Sequence, residues 1–346
     1  MKNSDRSGFA FMAIASFILI AGCNGFQPAA FVRPGAVRET QSSPIGWSAD
    51  DLEAAYALPA SRDGKGQTVF VVDAYDNPNL ANDFAEYRLA MGLPSGNLTK
   101  YNQEGRQGDY PQANAEWGVE ADLDVEMVSA SCPNCAVAIV EANSATWGDV
   151  SKAVDEAVKL GATIVSASFT GSVGDSQKAF EAPGVTYVAA AAAGGNGIAP
   201  PAAFDTVVAV GGTVLSKATN ARGYSETVWS GSDGGCVEGE AKPEWQAGSK
   251  YAKGCHGRMA DDVAAVAEGV AEYDSYDQAG WFSIDGTSIG APFCAGIFAL
   301  AGNSTKQRGG RTFWVPASHH AHLFEVSGER YNAGSGWGSP DGTGAF

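Results

Sequence analysis

Two short stretches of this chain carry residue types that could do chemistry. In Gly286-Thr287-Ser288-Ile289-Gly290-Ala291-Pro292 a serine precedes the run Phe293 to Leu300, which is apolar on every side. Pro292 suits a first helical turn, where its missing N–H is not needed, and an all-round apolar helix belongs in the middle of a domain. A hydroxyl at the mouth of such a helix faces free N–H groups and the positive end of the helix dipole. Both favour the negative charge that develops during acyl transfer. An N-cap serine before a core helix would look the same, so the chemistry turns on a base. In Trp117-Gly118-Val119-Glu120-Ala121-Asp122-Leu123-Asp124, Glu120 and Asp124 are four residues apart and share one helix face. Two carboxyls that close, once partly buried, hold one proton between them and can accept the serine proton at acidic pH. The competing reading is a solvated acidic face that also carries Asp122 and Glu126, and on spacing alone it leads.

Histidine is the familiar partner of a nucleophilic serine, but it is scarce here. The four histidines are His256, His319, His320 and His322, so none precedes position 256. The subtilisin order, with an aspartate at a strand end, a histidine on a later helix and then the serine, therefore cannot be filled by Asp73 and Ser288. Asp73 ends the apolar run Gln67 to Asp73 and is expected to be structural, accepting backbone N–H bonds in the turn that follows.

The elements that must position these residues read as an α/β pattern. Ser48-Ala49-Asp50-Asp51-Leu52-Glu53 is a capped helix start. Strands are expected over 67–73, 136–139, 163–166, 186–191 and 207–210, and helices over 77–91, 116–130 and 150–160. The strand at 186–191 runs into Gly194-Gly195-Asn196-Gly197. Strands alternating with helices of this length indicate a mostly parallel sheet covered on both faces. No repeat or second boundary is visible, so residues 46–346 form one α/β domain.

Composition narrows the function classes. With 346 residues, 45% hydrophobic content and eight tryptophans, the chain can bury a large core. Its formal charge of −17 argues against nucleic acid, whose binding rests on Lys and Arg neutralising phosphate. Residues 1–23 read as an export signal: Lys2 and Arg6 precede the apolar run Phe9 to Ala21, which is too short for a comfortable span. Its end, Leu19-Ile20-Ala21-Gly22-Cys23, resembles the bacterial lipobox, with Cys23 as the lipidated residue. A flexible tether over 24–45 would follow, giving an exported domain held to the cell envelope by lipid alone. Cysteine usage agrees with export. Cys236–Cys255 is the expected loop disulfide and Cys132–Cys135 a tighter one. Zinc at Cys132 and Cys135 would need a second ligand pair, so no metal is assigned. Cys294 reads as a small core residue.

Several segments resemble the sedolisin family of serine-carboxyl peptidases. They are Val71-Val72-Asp73-Ala74-Tyr75-Asp76; Trp117-x-x-Glu120-x-x-Leu123-Asp124 with Ala130-Ser131-Cys132-Pro133; Gly211-Gly212-Thr213; Tyr224-Ser225-Glu226-Thr227-x-Trp229-Ser230-Gly231; and Gly286-Thr287-Ser288 with Pro292. They fall in order from about Gly46 to Phe346. The resemblance implies a subtilisin-like three-layer domain with a buried helix after the nucleophile, and hydrolysis of peptide bonds at acidic pH. By matched position Ser288 would be the nucleophile, Glu120 the general base and Asp124 the acid that orients it. The stretch Ser166-Ala167-Ser168-Phe169-Thr170-Gly171 aligns with the wall of the family's substrate cleft. The implied partner is a peptide or protein substrate, and the protein is expected to be a monomer.

The chain departs from the family pattern in three places. The family sets an oxyanion-binding aspartate in a Gly-Asp-x-Gly turn, where this chain has Gly195, with Asn196 next to it as a substitute donor. Losing one such donor costs on the order of 10²–10³ in rate, so a catalytically impaired, peptide-binding lipoprotein is the alternative function. The family's calcium loop is shortened here: Phe324-Glu325-Val326-Ser327 runs soon into Gly334-Ser335-Gly336-Trp337-Gly338, with Glu325 where an aspartate is expected. Calcium enters only through the resemblance, and six to eight oxygen ligands cannot be assembled from this loop. The long propeptide of many relatives has no counterpart beyond residues 24–45, so inhibition by a cleavable prodomain is not expected.

Overall fold

The computed structural model describes residues 27–28, 30–32, 42–59, 64–172, 176–192, 197–276, 278, 280–315 and 317–346. The lipidation candidate Cys23, the rest of the signal segment, most of the tether and the oxyanion candidates Gly195 and Asn196 lie outside these residues.

From the N-terminus the elements are β1 (Gln27–Pro28), β2 (Ala30–Val32), α1 (Ala49–Ala55), β3 (Thr68–Ala74), α2 (Leu80–Ala90), β4 (Leu98–Asn102), α3 (Ala115–Ser131), β5 (Ala136–Ala142) and α4 (Trp147–Lys159). There follow β6 (Ile164–Ala167), β7 (Phe169–Thr170), β8 (Thr186–Ala190), β9 (Val207–Lys217), β10 (Tyr224–Val228), β11 (Gly235–Val237), β12 (Arg258–Ala260), β13 (Val263–Val266), β14 (Glu268–Asp274) and β15 (Gly280–Gly286). The chain closes with α5 (Gly290–Ala301), α6 (Arg311–Trp314), β16 (Leu323–Phe324) and β17 (Ser339–Pro340).

The main sheet runs β10-β9-β8-β6-β3-β5-β4, with β13 also paired to β9. Every pairing in it is parallel except β10 against β9. Side chains alternate across it as strand geometry requires. Val69 and Val71 of β3 join a core with α2, α3 and α5, while Phe70 and Val72 face the other way onto α4, Phe180 and Phe204. The layering is therefore helix, sheet, helix, as the alternating sequence pattern predicts.

Local chemistry explains where the elements begin and end. Ser48 caps α1 in a reciprocal box with Asp51. The expected helix over 77–91 starts only at Leu80, because Asn77 Oδ1 accepts the Asn79 N–H at 2.9 Å and Pro78 has no N–H to give. Strand β9 runs past 210 to Lys217, since beyond Gly212 it gains β10 as an antiparallel partner. The antiparallel pair β14–β15, absent from the sequence reading, delivers the chain into α5. Both expected disulfides are present: Cys132–Cys135 closes the turn between α3 and β5, and Cys236–Cys255 ties β11 to the loop before β12. Cys294 is buried and unbonded in α5.

Helices α3 and α5 pack directly on one another, which brings the acidic stretch to the serine. Gly296 makes this possible. A Cβ there would sit 1.9 Å from Ser131 Oγ and 3.2 Å from the Val128 carbonyl oxygen. Gly296→Val should therefore push the helices apart and cost about 1–3 kcal/mol, more than any gain in helix propensity. Urea unfolding would show it as a lower midpoint at unchanged slope, and an unchanged midpoint would mean that the helices do not meet so closely.

Candidate active site

Ser288 lies in the three-residue turn between the end of β15 and the start of α5. The turn is held by Ile289 N–H donating to the Gly286 carbonyl at 3.2 Å and Gly290 N–H donating to the Thr287 carbonyl at 3.0 Å. The serine is fully buried, and its Oγ donates to the carbonyl of Ser168 at 3.3 Å. Ser168 joins β6 to β7, so the segment expected to wall the cleft lies directly against the serine. Beside it, Trp117 on α3 packs on Phe169 with ring centroids 6.5 Å apart.

Helix α3 starts from Asn114, whose side chain accepts the Trp117 N–H at 3.0 Å. From Trp117 to Ser131 every residue is buried, including Glu120, Asp122, Asp124 and Glu126. This overturns the solvated-face reading that spacing alone favours: the acidic helix is enclosed on both sides. Periodicity could not reveal it, because apolar and acidic residues alternate around the whole helix and neither set makes a stripe.

The acids divide into two groups. Toward the serine, Asp124 lies beside Asp73, Glu120 and the Ser168 hydroxyl. Burial, then the charges of Asp73 and Glu120, push the Asp124 carboxyl well above the usual carboxylate range, while Ser168 pulls it back. The Ser168 hydroxyl is close enough to act electrostatically but makes no well-formed hydrogen bond to Asp124. Away from the serine, carboxylate oxygens of Asp83, Asp122 and Asp274 lie within 4.8 Å of one another. Protein donors meet each of these three: Ser275 Oγ donates to Asp83 at 2.6 Å, Asn77 Nδ2 to Asp122 at 2.7 Å and Gln278 N–H to Asp274 at 2.7 Å. Glu272 links the groups, raised by burial and by the charges of Asp274 and Glu120.

Asp73 corrects the sequence reading. Neither of its carboxylate oxygens accepts a hydrogen bond, so it is not the backbone acceptor expected at that strand end. Instead it is fully buried next to Asp124, and burial alone raises it to about 7. It was legible as a polar residue at the C-terminal end of a parallel strand, where α/β proteins place chemistry. Two of the four histidines are engaged elsewhere: His319 meets the Thr312 carbonyl, and His320 stacks on Trp337 at 3.8 Å.

The calcium loop does not fit its ion. Glu325, which stands where an aspartate is expected, is half exposed and paired with Arg330 at 3.4 Å. The Val326, Gly334 and Gly336 carbonyls accept from Glu329 N–H, Ser232 Oγ and Asn332 N–H respectively. A Glu325 carboxylate already paired with a guanidinium is a poor calcium ligand.

By fold the domain is a subtilisin-like α/β structure, and buried carboxyls gather near its buried serine. No protein-family model matches the chain. It is similar to kumamolisin of Bacillus sp. (strain MN-32), 28% identical over 300 residues, covering 76% of this chain and 53% of that protein. It is also similar to sedolisin of Pseudomonas sp. (strain 101), 25% identical over 365 residues, covering 87% of this chain and 60% of the relative. The chain thus spans about half to three-fifths of the length of these curated relatives. Among solved structures, Pseudomonas sedolisin complexed with two molecules of pseudo-iodotyrostatin superposes with a TM-score of 0.71 at 22% identity, covering 87% of this chain and 96% of that one. Fervidolysin from Fervidobacterium pennivorans, a keratinolytic enzyme related to subtilisin, matches the fold at a TM-score of 0.56 and 13% identity, over 92% of this chain and 50% of its own. The chain is a relative of the sedolisin family.

The buried acids set a pH dependence with a definite sign. A carboxyl raised on folding binds more protons in the folded than in the unfolded state. Its contribution is therefore full below the unfolded value of 3.8 and lost as pH rises through the folded value, about 7 for Asp73. Stability should fall from about pH 4 to pH 8, and Asp73→Asn should flatten part of that slope. Urea midpoints across the range would show it, and a stability that rises toward neutral pH would contradict the assignment.

Proposed function

We propose that the domain hydrolyses peptide bonds as a serine-carboxyl peptidase. Ser288 adds to the scissile carbonyl, and Glu120 takes its proton and returns it to the leaving amine. Asp124 shares the second carboxyl proton, with Asp73 behind it. The observation that carries this reading is the meeting of Ser288, Ser168 and the buried acidic face of α3 at one point without a histidine. Two acids in a dry site cannot both ionise, so one is ionised to act as base while its neighbour keeps a proton. The names of the similar proteins agree with this class, and sedolisin is described as a serine-carboxyl proteinase.

Hydrolysis of a peptide mixture at about pH 4 tests the proposal. Ser288→Ala should abolish turnover, and Glu120→Gln should lower it by about 10²–10⁴, the range for loss of general-base help. Equal rates in wild type and Ser288→Ala would refute it. The alternative, a peptide-binding module impaired by Gly195, predicts binding without turnover in the wild type. Gly195→Asp should then raise kcat at low pH, where the new carboxyl is protonated and can donate to the oxyanion. If Gly195→Asp leaves a folded protein inactive at every acidic pH, the binding reading moves ahead.

For localisation we propose export and attachment to the cell envelope through a lipid on Cys23. No helix among the described residues is long and apolar enough to cross a membrane. Cys23→Ser should move the protein from the membrane to the soluble fraction with its fold intact, and persistent membrane association would contradict the anchor.

A further inference from the structure

Away from the serine, three elements bring carboxyls to one point. Asp83 comes from α2, Asp122 from α3 and Asp274 from the end of β14, and their carboxylate oxygens lie within 4.8 Å of one another. The spacings explain the meeting. Glu272 and Asp274 alternate onto one side of β14, and Asp122 and Glu126 stand one turn apart on one face of α3. Both elements pack on α2 as well as on each other. Asp83, Asp122, Glu126 and Asp274 are all buried. No Lys or Arg pairs with Asp83, Asp122 or Glu126 among the described residues.

Shared protons alone could hold such a cluster, but the bonding of its members favours an ion. Asn77 Nδ2 fastens Oδ2 of Asp122 at 2.7 Å, while Oδ1 of the same carboxyl is shut off from solvent and accepts no hydrogen bond. Glu126, a fourth carboxyl beside the three, repeats the pattern. Its Oε2 accepts the Tyr273 N–H at 3.3 Å, which holds the group next to Asp274, and its Oε1 is buried and accepts nothing. Burial, then the charges of Glu272, Asp83 and Asp274, push Glu126 well above the usual carboxylate range. Ser275 fixes Asp83 in turn, through its Oγ at 2.6 Å and its N–H at 3.1 Å. Two carboxyls each oriented by a donor on one oxygen, with the other left bare, match the way outer hydrogen bonds aim metal ligands.

We propose that Asp83, Asp122, Glu126 and Asp274 hold a divalent cation, and that the ion is Ca²⁺. Ca²⁺ takes about six to eight oxygens, one or two from each carboxylate, in irregular arrangements, whereas Mg²⁺ demands a near-octahedral set and keeps several waters. Four buried carboxyls drawn from two helices and a strand suit the first ion and not the second. The cation takes the place of protons on these acids, and its bonds tie α2 and β14 to the helix that carries Glu120 and Asp124. The half-buried Tyr273 and Ser275 flank Asp274 and leave the ion a way in. The site is separate from the C-terminal loop around Glu325, and it stands whether or not the domain is a peptidase.

Calorimetric titration of the full chain with CaCl₂ tests the site, after chelator treatment and near pH 7, where protons compete least. The expected result is one Ca²⁺ bound per chain, with a melting temperature raised by about 5 °C at saturation. Asp122→Asn and Glu126→Gln should each weaken binding by about tenfold or more, and Glu325→Ala should leave it unchanged. If one of the first two variants fails to fold, the other carries the comparison. A wild type that binds no Ca²⁺, binding that survives both substitutions, or binding lost in Glu325→Ala overturns the site. A melting shift that MgCl₂ reproduces in full also overturns it, because a chain with a formal charge of −17 gains from any divalent cation by screening.

Discussion

The structure depends on the burial of many carboxyls with few cations to meet them. Asp73, Asp122, Asp124, Glu126 and Glu272 are all buried, and no Lys or Arg forms an ion pair with them among the described residues. A buried, unpaired carboxylate is expensive, so such groups stay protonated instead of paying for a charge. The molecule does hold buried acids of the other kind. Asp262 is paired with Arg258 and bonded by Trp314 Nε1, and Glu226 takes Arg222, Tyr56 and Thr213. Those acids fasten elements together, whereas the α3 acids hold protons, and proton exchange is what a base at Ser288 requires.

From this constraint the layout of the site follows. The acidic helix must be enclosed to keep its protons, and it packs on β3 and β5 of the sheet and against α5, at the distance that Gly296 allows. That contact sets the acids beside the turn carrying Ser288. Strands β7 and β15 flank the serine, and each is paired with a short strand near the N-terminus. Enclosed, protonated acids beside the serine are thus a consequence of packing α3 between the sheet and α5.

Much of this was legible in the sequence, for identifiable reasons. The strands of the parallel sheet are short apolar runs, and α5 is apolar all round, so both could be placed within a few residues. The acid pair was legible as an i, i+4 spacing, and its role came from resemblance. What could not be read was burial on both faces of α3, because a buried acid and a solvated one look alike in sequence. Strands β14 and β15 were hidden by Gly269 and Gly280 and by acids such as Glu272 and Asp274, which are atypical of strands. Asp73 is legible as a polar strand end but its neighbour is not, since that is a carboxyl brought from α3 by the fold. The pairing of Gln27–Pro28 and Ala30–Val32 joins residues more than a hundred positions apart, which no local pattern encodes.

The central claim is that carboxyls, and no histidine, move the proton at Ser288. The pH dependence of kcat/KM, measured where the fold is shown to be intact, tests it most directly. The account predicts a bell confined to acidic pH: a rising limb as the acid pair gives up its first proton, and a falling limb as it loses its second. Substituting all four histidines should leave that profile in place. A rate that instead climbs through a single step near 6.5, the ordinary histidine value, and disappears when the histidines are replaced would contradict it.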